Sequence, residues 1–345
     1  MDPINTLISK IKALGRQFIE PGAQFSIFAL ACAFAVAVGF LYLRQRRRRG
    51  RASLAAVLRA VCSRRVFFNP STYADAGYLL INTLSLGGLI AWAMISTGAV
   101  SAWITAGLGN VFATPTATTL PDWLTRAGAT ILFFLAYEFG YWLDHYLKHR
   151  VPFLWEMHRP HHTAEVLTPL TVFRVHPLDS LVFSFVLAIT GGVTAGVVNF
   201  ALGKPVLELT LDGTNVLLVV FFYAYVHLQH SEIWIPFRGW AGRLFMSPAH
   251  HQIHHSSDPA HFNMNLGSCL AIWDWVFGTL SIPAKESPRL KFGVDDAEPH
   301  PHAPSRLLLT PIARVARALA RMVLPTKARE EVVPDSTGVV EQNAN

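Results

Sequence analysis

Long uncharged stretches alternate with short polar segments along most of the chain. The first is a nearly continuous apolar run from Phe25 to Leu43, which is long enough to cross a bilayer at about 1.5 Å per helical residue. Four later stretches are apolar enough to be membrane-embedded: Ala76 to Pro121, Ala127 to Leu143, Leu181 to Leu202, and Gly213 to about His230. This pattern predicts an all-α, integral-membrane helical bundle with about five transmembrane crossings.

The stretch from Ala76 to Pro121 contains no charged residue and is too long for one perpendicular span. We therefore expect it to make one crossing together with a re-entrant or interfacial piece. The following spans then alternate in direction.

A block of arginines directly follows the first apolar run: Arg44, Arg46 to Arg49 and Arg51. Basic residues beside a span stay on the cytoplasmic side, and charge after the run favours a membrane anchor over a cleaved signal peptide. With alternating crossings, the histidine-bearing segments fall on the same side as these arginines. The pattern thus predicts one cytosolic histidine-rich cap.

The chain divides into three predicted segments. Residues 1–75 form a membrane anchor with a basic cytoplasmic segment, residues 76–285 form the catalytic membrane domain, and residues 286–345 form a C-terminal extension. Within that extension, Ser305 to Pro325 is a basic amphipathic stretch, which is expected to lie on the membrane surface, and the tail after Lys327 is predicted to be disordered.

Composition agrees with a membrane protein. Of the 345 residues, 52% are hydrophobic and only 15% are charged, and the mean hydropathy is +0.34. The net charge of +7 comes from bunched rather than dispersed basic residues, which argues against a nucleic-acid partner. The three cysteines are too few and too scattered for a disulfide framework or a thiolate metal site. Candidate chemistry therefore rests on the fifteen histidines.

Ten histidines fall into four groups with short, regular spacings. They are His145 and His149 (HxxxH), His158, His161 and His162 (HxxHH), His227 and His230 (HxxH), and His251, His254 and His255 (HxxHH). Helical residues three and four positions apart share a face, so each group can present imidazoles to one point. Neutral imidazole binds iron, copper and zinc, and ten ligands are too many for one ion but suit two.

Two other classes of function also use histidines. A zinc-dependent membrane hydrolase or structural zinc protein needs only three or four ligands. A metal transporter places its histidines near the bilayer midplane, whereas these lie beyond the span ends. Both remain alternatives.

From Ala127 to Thr279 the sequence resembles the fatty acid hydroxylase and sterol desaturase superfamily. The motifs that carry the resemblance are, in chain order, Asp144-His145 with His149-Arg150, Leu154-Trp155 with His158 and His161-His162, Arg174-Val175-His176-Pro177, Ser247-Pro248 leading to His251 and His254-His255-Ser256, Asn265-Leu266-Gly267, and Trp273-Asp274. The later segments are similar to bacterial members, which implies an inner-membrane location.

The resemblance implies a di-metal centre, iron in the active enzyme although zinc is possible as isolated, that uses O2 to hydroxylate or desaturate a membrane lipid. Matched by motif, nine of the ten histidines are the implied ligands. His227 is the exception, because its HxxH spacing differs from the common family spacing, and it rests on the general ligand argument alone. Electrons are expected from a separate protein, since no electron-donor module fits outside the spans.

Three acidic residues are further candidates for the catalytic site. Asp144 and Asp274 either orient imidazole N–H groups or are solvated interfacial carboxylates. Glu138 lies inside an apolar span two helical turns before His145, so we expect it to face the bundle interior near the site.

The sequence leaves several assignments open. Roles for His176, His250 and His261 are undecided, and so are the substrate lipid, the choice between hydroxylation and desaturation, and the oligomeric state. Sterol, hopanoid, fatty acyl, sphingolipid, ether lipid and carotenoid substrates are all compatible with the motifs.

Overall fold

The computed structural model describes residue 12 and residues 15–82, 96–294 and 302–323. Apart from one short hairpin, β1 (Thr210–Leu211) and β2 (Thr214–Asn215), regular structure in these ranges is helical, which confirms the predicted all-α class. The helices are α1 (Ile27–Arg49), α2 (Leu54–Val61), α3 (Arg64–Phe67), α4 (Pro70–Ile81), α5 (Thr97–Val111), α6 (Asp122–Arg150), α7 (Pro152–His162), α8 (Pro177–Leu202), α9 (Val216–Gln229), α10 (Gly239–Leu244), α11 (Pro248–His254), α12 (Ile272–Phe277) and α13 (Pro304–Val323).

Helix α1 is the predicted N-terminal anchor. Ser26 caps it by accepting the N–H of Ala29 at 3.2 Å, and Gly50, with φ of 69°, ends it in the left-handed conformation. Ala29, Ala33 and Ala37 form one buried stripe, while much of the remaining apolar surface is exposed. An apolar outer face of this kind is typical of a helix that contacts lipid.

Helices α5, α6 and α8 pack closely through glycines. A Cβ atom on Gly192 or Gly196 of α8 would lie 2.5 or 2.6 Å from a Cβ atom of α5, and one on Gly140 of α6 would meet Thr190 of α8. Small residues at these positions let the helix axes approach, as in membrane bundles. The α6–α8 pair leads directly into the histidine-bearing region.

Two described helices, α1 and α8, are long and apolar enough to cross a membrane by length and composition. The predicted span ending near His230 corresponds to the shorter apolar helix α9, which contains a π-helical turn, Phe222–Val226. Of the uncharged stretch from Ala76 to Pro121, residues 83–95 lie outside the described residues. The count of five crossings therefore stays a prediction.

The C-terminal amphipathic stretch is helix α13, as its periodicity predicts. It packs on α4 and α7, because the hydroxyl of Tyr78 in α4 donates to the Leu307 carbonyl at 2.7 Å and Arg314 lies 3.5 Å from Glu156 of α7. The predicted disordered tail after Lys327 lies outside the described residues.

Candidate metal centre

Nine of the ten predicted ligands converge in two groups, within each of which the nitrogens that could bind a metal lie within 4.8 Å of one another. We call the first the five-histidine group and the second the four-histidine group. The five-histidine group contains His145, His149, His158, His162 and His254, and the four-histidine group contains His161, His230, His251 and His255.

Helical periodicity explains how the two HxxHH triplets are shared. At about 100° per residue, positions i and i+4 differ by about 40°, whereas position i+3 points about 60° to the other side. In α7 the i, i+4 pair, His158 and His162, joins the five-histidine group, and His161 joins the other. In the α11 triplet the assignment is reversed. Each triplet therefore contributes to both groups.

The triplet at α11 sends its i, i+4 pair, His251 and His255, to the four-histidine group and His254 to the five-histidine group. His145 and His149, one turn apart at the end of α6, complete the five-histidine group. His230, directly after α9, completes the four-histidine group. Four elements, α6, α7, α9 and α11, thus meet at the centre.

The imidazoles point their Nε2 atoms at one another. His145 Nε2 lies 3.1 Å from His158 Nε2, and His251 Nε2 lies 3.0 Å from that of His230. The Nε2 atoms of His149, His162 and His254 are buried and have no hydrogen-bond partner among the described residues. Buried polar atoms are normally satisfied, so these convergent, unpartnered nitrogens fit bound metal ions.

Burial favours the neutral form of several of these imidazoles. Burial, reinforced by the neighbouring imidazoles, lowers the pKa of His161, His251 and His255 well below the usual histidine value. The same causes act on the pKa of His254, chiefly burial, and bring it to about 3. A neutral imidazole has a free lone pair, so the groups are ready to bind metal at physiological pH.

Three imidazoles of the five-histidine group are held from behind. His158 Nδ1 lies 3.0 Å from Asp179 Oδ2, while His145 and His254 donate from Nδ1 to the carbonyls of Leu266 and Met264 at 2.8 and 2.9 Å. Such acceptors fix ring orientation and raise ligand basicity.

Asp179 was missed by the sequence reasoning. The available signal was an acidic residue two positions before the predicted span that begins at Leu181, and three positions after His176.

Asp144 contacts an ammonium group rather than an imidazole. Its carboxylate lies 2.6 Å from Lys148 Nζ, and the same ammonium group pairs with Asp179. All three side chains are buried. Asp144 thus connects to the centre through a chain that runs Asp144, Lys148, Asp179, His158.

Glu138 and Asp274 bind the backbone of the loop that follows Met264. Glu138 Oε2 accepts the N–H groups of Cys269 and Leu270 at 2.9 and 2.7 Å, and Asp274 accepts those of Leu266 and Gly267 at 2.8 Å. Because this loop supplies the carbonyls behind His145 and His254, both carboxylates act on the centre through the loop. Within the part of the chain that the structure describes, Asp274 bonds to this loop and to Thr279 and makes no hydrogen bond to an imidazole.

His227 joins neither group. Its Nε2 donates to the Gln24 carbonyl at 2.7 Å, and its ring packs edge-on against Phe25.

The undecided histidines also lie outside both groups. His176 caps α8 by accepting the Leu178 N–H, and His250 forms a capping box with Ser247 at the start of α11. His261 lies in a short 3-10 turn, Pro259–His261.

Two cavities reach the centre from different sides and share no histidine. The aromatic cavity, of about 220 Å³, is bordered by His145, His158, His161 and His230 together with aromatic residues that include Tyr137 and Phe222. The outer cavity, of about 570 Å³, is bordered by His149, His162, His254 and His255 together with residues that include Trp155 and Phe262. Both histidine groups contribute to both cavities.

The sequence profile of the fatty acid hydroxylase family matches residues 130–279. Residues 130–279 belong to the fatty acid hydroxylase family. This hydroxylase segment contains all the predicted histidine ligands, the three acidic candidates and Asp179. The profile match confirms the family that the motifs indicate.

Similar curated proteins are lipid hydroxylases and monooxygenases. An alkylglycerol monooxygenase from Xenopus tropicalis is 28% identical over 45% of this chain and 31% of its own length. An ornithine lipid hydroxylase from Rhizobium tropici is 26% identical over 57% of this chain and 58% of its own, and human cholesterol 25-hydroxylase is 30% identical over 48% and 57%. The chain spans about a third to somewhat over half of the length of these relatives. No solved structure matches the chain.

Proposed function

We propose that this protein is an oxygen-dependent oxidoreductase that hydroxylates or desaturates a membrane lipid at a centre of two iron ions. The observation that carries the proposal is the division of nine imidazoles, eight of them buried, into two convergent groups inside a fatty acid hydroxylase segment. Five and four nitrogen donors suit two separate ions, and imidazole is a good iron ligand.

Each histidine group would hold one ion. Iron, when bound, would supply the activation of O2 and the oxidation of a C–H bond, which side chains cannot perform. The chain's own residues would bind the ions and orient the imidazoles. Asp179, through His158, and the loop carbonyls, through His145 and His254, fix the imidazole planes.

The aromatic cavity is the proposed site for the reacting part of the lipid. Phe221, Phe222 and Phe183 give it apolar walls next to imidazoles of both groups, so an alkyl segment can lie beside the centre. The outer cavity leaves the opposite side of the centre for a separate electron-donor protein.

We further propose that the protein is embedded in the bacterial inner membrane, with about five crossings and the histidine centre on the cytoplasmic side. The arginines that end α1 support this orientation by the positive-inside pattern. The apolar, exposed faces of α1 and α8 support the embedding.

Anaerobic purification and metal analysis test the proposal. We expect about two irons per chain, O2-dependent turnover of lipid by the reduced protein, and loss of that turnover in His161→Ala. One tightly held zinc with O2-independent cleavage of a substrate would instead identify a hydrolase, and metal uptake by vesicles would identify a transporter. Comparing the lipids of a deletion strain with those of wild type by mass spectrometry identifies the substrate.

A further inference from the structure

His227 belongs to a buried cluster that separates two cavities. Phe25 packs on His227 with ring centroids 4.8 Å apart and on Phe173 with centroids 4.2 Å apart, and His227 donates to the Gln24 carbonyl. Phe25 and His227 are both buried. We call Phe25, Phe173 and His227 the aromatic partition.

Chain neighbours at the partition face opposite cavities. Gln24, Val172 and Val226 border the aromatic cavity, whereas Pro169 and His227 border a separate groove of about 640 Å³. The consecutive residues Val226 and His227 thus border different spaces, so the two cavities are adjacent at this point.

The groove is apolar along α1 and ends at a cationic side chain. One wall is a stripe of α1 that includes Leu30, Phe34, Ala37 and Leu41, and Arg44 continues the stripe at the end. These residues repeat at helical spacing, so the groove runs along the axis of α1. It is therefore shaped for an extended chain; we call it the α1 groove.

Three arginines border the groove: Arg44, Arg59 and Arg65. Arg44 pairs with Glu286, but within the described residues no ion pair or hydrogen bond reaches the side chains of Arg59 and Arg65, which are exposed. Glu232 also borders the groove, but the arginines outnumber it, so the lining keeps a net positive charge. Unpaired arginines beside an apolar groove are complementary to a lipid that carries a negative headgroup.

The helix beside the partition has an irregular turn. Phe222–Val226 is π-helical and ends directly before His227. π-helical turns are frequent at functional sites and interrupt the regular α-helical hydrogen-bond pattern. The aromatic partition thus lies directly beside an irregular turn of α9.

We propose that the α1 groove binds the alkyl chain of an anionic lipid, and that the aromatic partition is the gate through which this chain reaches the aromatic cavity. That the lipid is the substrate rests on the proposed function. Binding in the groove and gating by Phe25, Phe173 and His227 do not depend on the reaction.

A matched pair of tryptophan variants tests the groove. Ala60 and Ala55 are both exposed on α2, but only Ala60 borders the groove. The full-length protein in vesicles is photolabelled with phosphatidylglycerol that carries a diazirine in its acyl chain. We expect Ala60→Trp to reduce labelling of Phe34 several-fold while leaving labelling of Leu43, an exposed α1 residue outside the groove, unchanged.

Ala55→Trp should leave both labels unchanged. Equal labelling of Phe34 in wild type, Ala60→Trp and Ala55→Trp would overturn the groove as a lipid site. If the labels behave as expected but wild type shows no O2-dependent turnover, the proposed function fails and the lipid site stands.

Variants of the partition test the gate. His227→Ala and Phe25→Ala should raise labelling of Phe222, which faces the aromatic cavity, several-fold, with the iron content unchanged. His227→Gln keeps a donor for the Gln24 carbonyl and should label as wild type does. Loss of about one iron in His227→Ala would make His227 a ligand and overturn the gate, as would unchanged labelling of Phe222 in both alanine variants.

Discussion

The two histidine groups share helices but differ in how their imidazoles are held. In the five-histidine group, Asp179 and two loop carbonyls accept hydrogen bonds from the outward Nδ1 atoms. In the four-histidine group, the Nδ1 atoms of His161, His251 and His255 have no partner among the described residues. Ligands with hydrogen-bonded outer nitrogens are better oriented and more basic. We therefore expect two inequivalent ions.

Removing one ligand from each group should give the largest difference. His251→Ala leaves three imidazoles in its group, whereas His162→Ala leaves four in the other. We expect His251→Ala to keep about one iron per chain and to lose turnover by more than about 100-fold, while His162→Ala keeps more iron. Metal analysis with parallel activity measurements checks this. Equal iron loss in both variants would contradict the inequivalence.

Neutralising Asp179 should weaken the binding of iron by the five-histidine group. Asp179→Asn removes the charge that faces His158 and leaves Lys148 paired only with Asp144. We expect about 10- to 100-fold weaker iron binding or activity, as for other residues that orient ligands. Titration of the metal-free protein with Fe(II) measures the affinity. Asp122→Asn, which changes an exposed carboxylate paired with Lys204, is the control and should bind like wild type.

Chelation should distinguish the groups kinetically without mutation. The four-histidine group has fewer nitrogen donors, and three of its rings lack a hydrogen-bond partner at Nδ1 among the described residues. Its ion should therefore leave first, so that iron is lost in two phases with about one iron in each. Iron remaining after timed exposure to a chelator measures this. Asp179→Asn should bring the two rates closer together, and a single-phase loss from wild type would count against the model of unequal sites.

The smallest effect is expected where both groups depend on the same cap. Ser247 caps α11 by accepting the His250 N–H at 3.3 Å, and the α11 triplet contributes ligands to both groups. Ser247→Ala should lower the free energy of unfolding by about 1 kcal/mol. Thermal unfolding measures the loss, and the ratio of iron in the two chelation phases should stay unchanged. A shift in that ratio would mean that the cap favours one group.

The sequence by itself determined the helical class, the family segment and nine converging ligands. Spacing indicated that the histidines within each group lie near one another, because i, i+3 and i+4 positions share a helix face, and the family resemblance set nine of the ten apart from His227. His227 has the same kind of spacing as its neighbours, yet it donates to Gln24 instead, about 200 residues earlier in the chain. Local spacing cannot tell which long-range partner a side chain meets.

Only the tertiary structure decided which histidine joins which group and which carboxylate orients a ligand. His161 joins the pair from α11, and His254 joins the pair from α7. This arrangement depends on how α7 and α11 face each other, which the HxxHH spacing of each triplet does not specify. Asp144 lies next to His145 in sequence but points to Lys148, whereas Asp179, on another helix, meets His158. Adjacent helical residues point about 100° apart, so neighbours in sequence often contact different partners. Packing between helices, in contrast, brings side chains that are distant in sequence into contact.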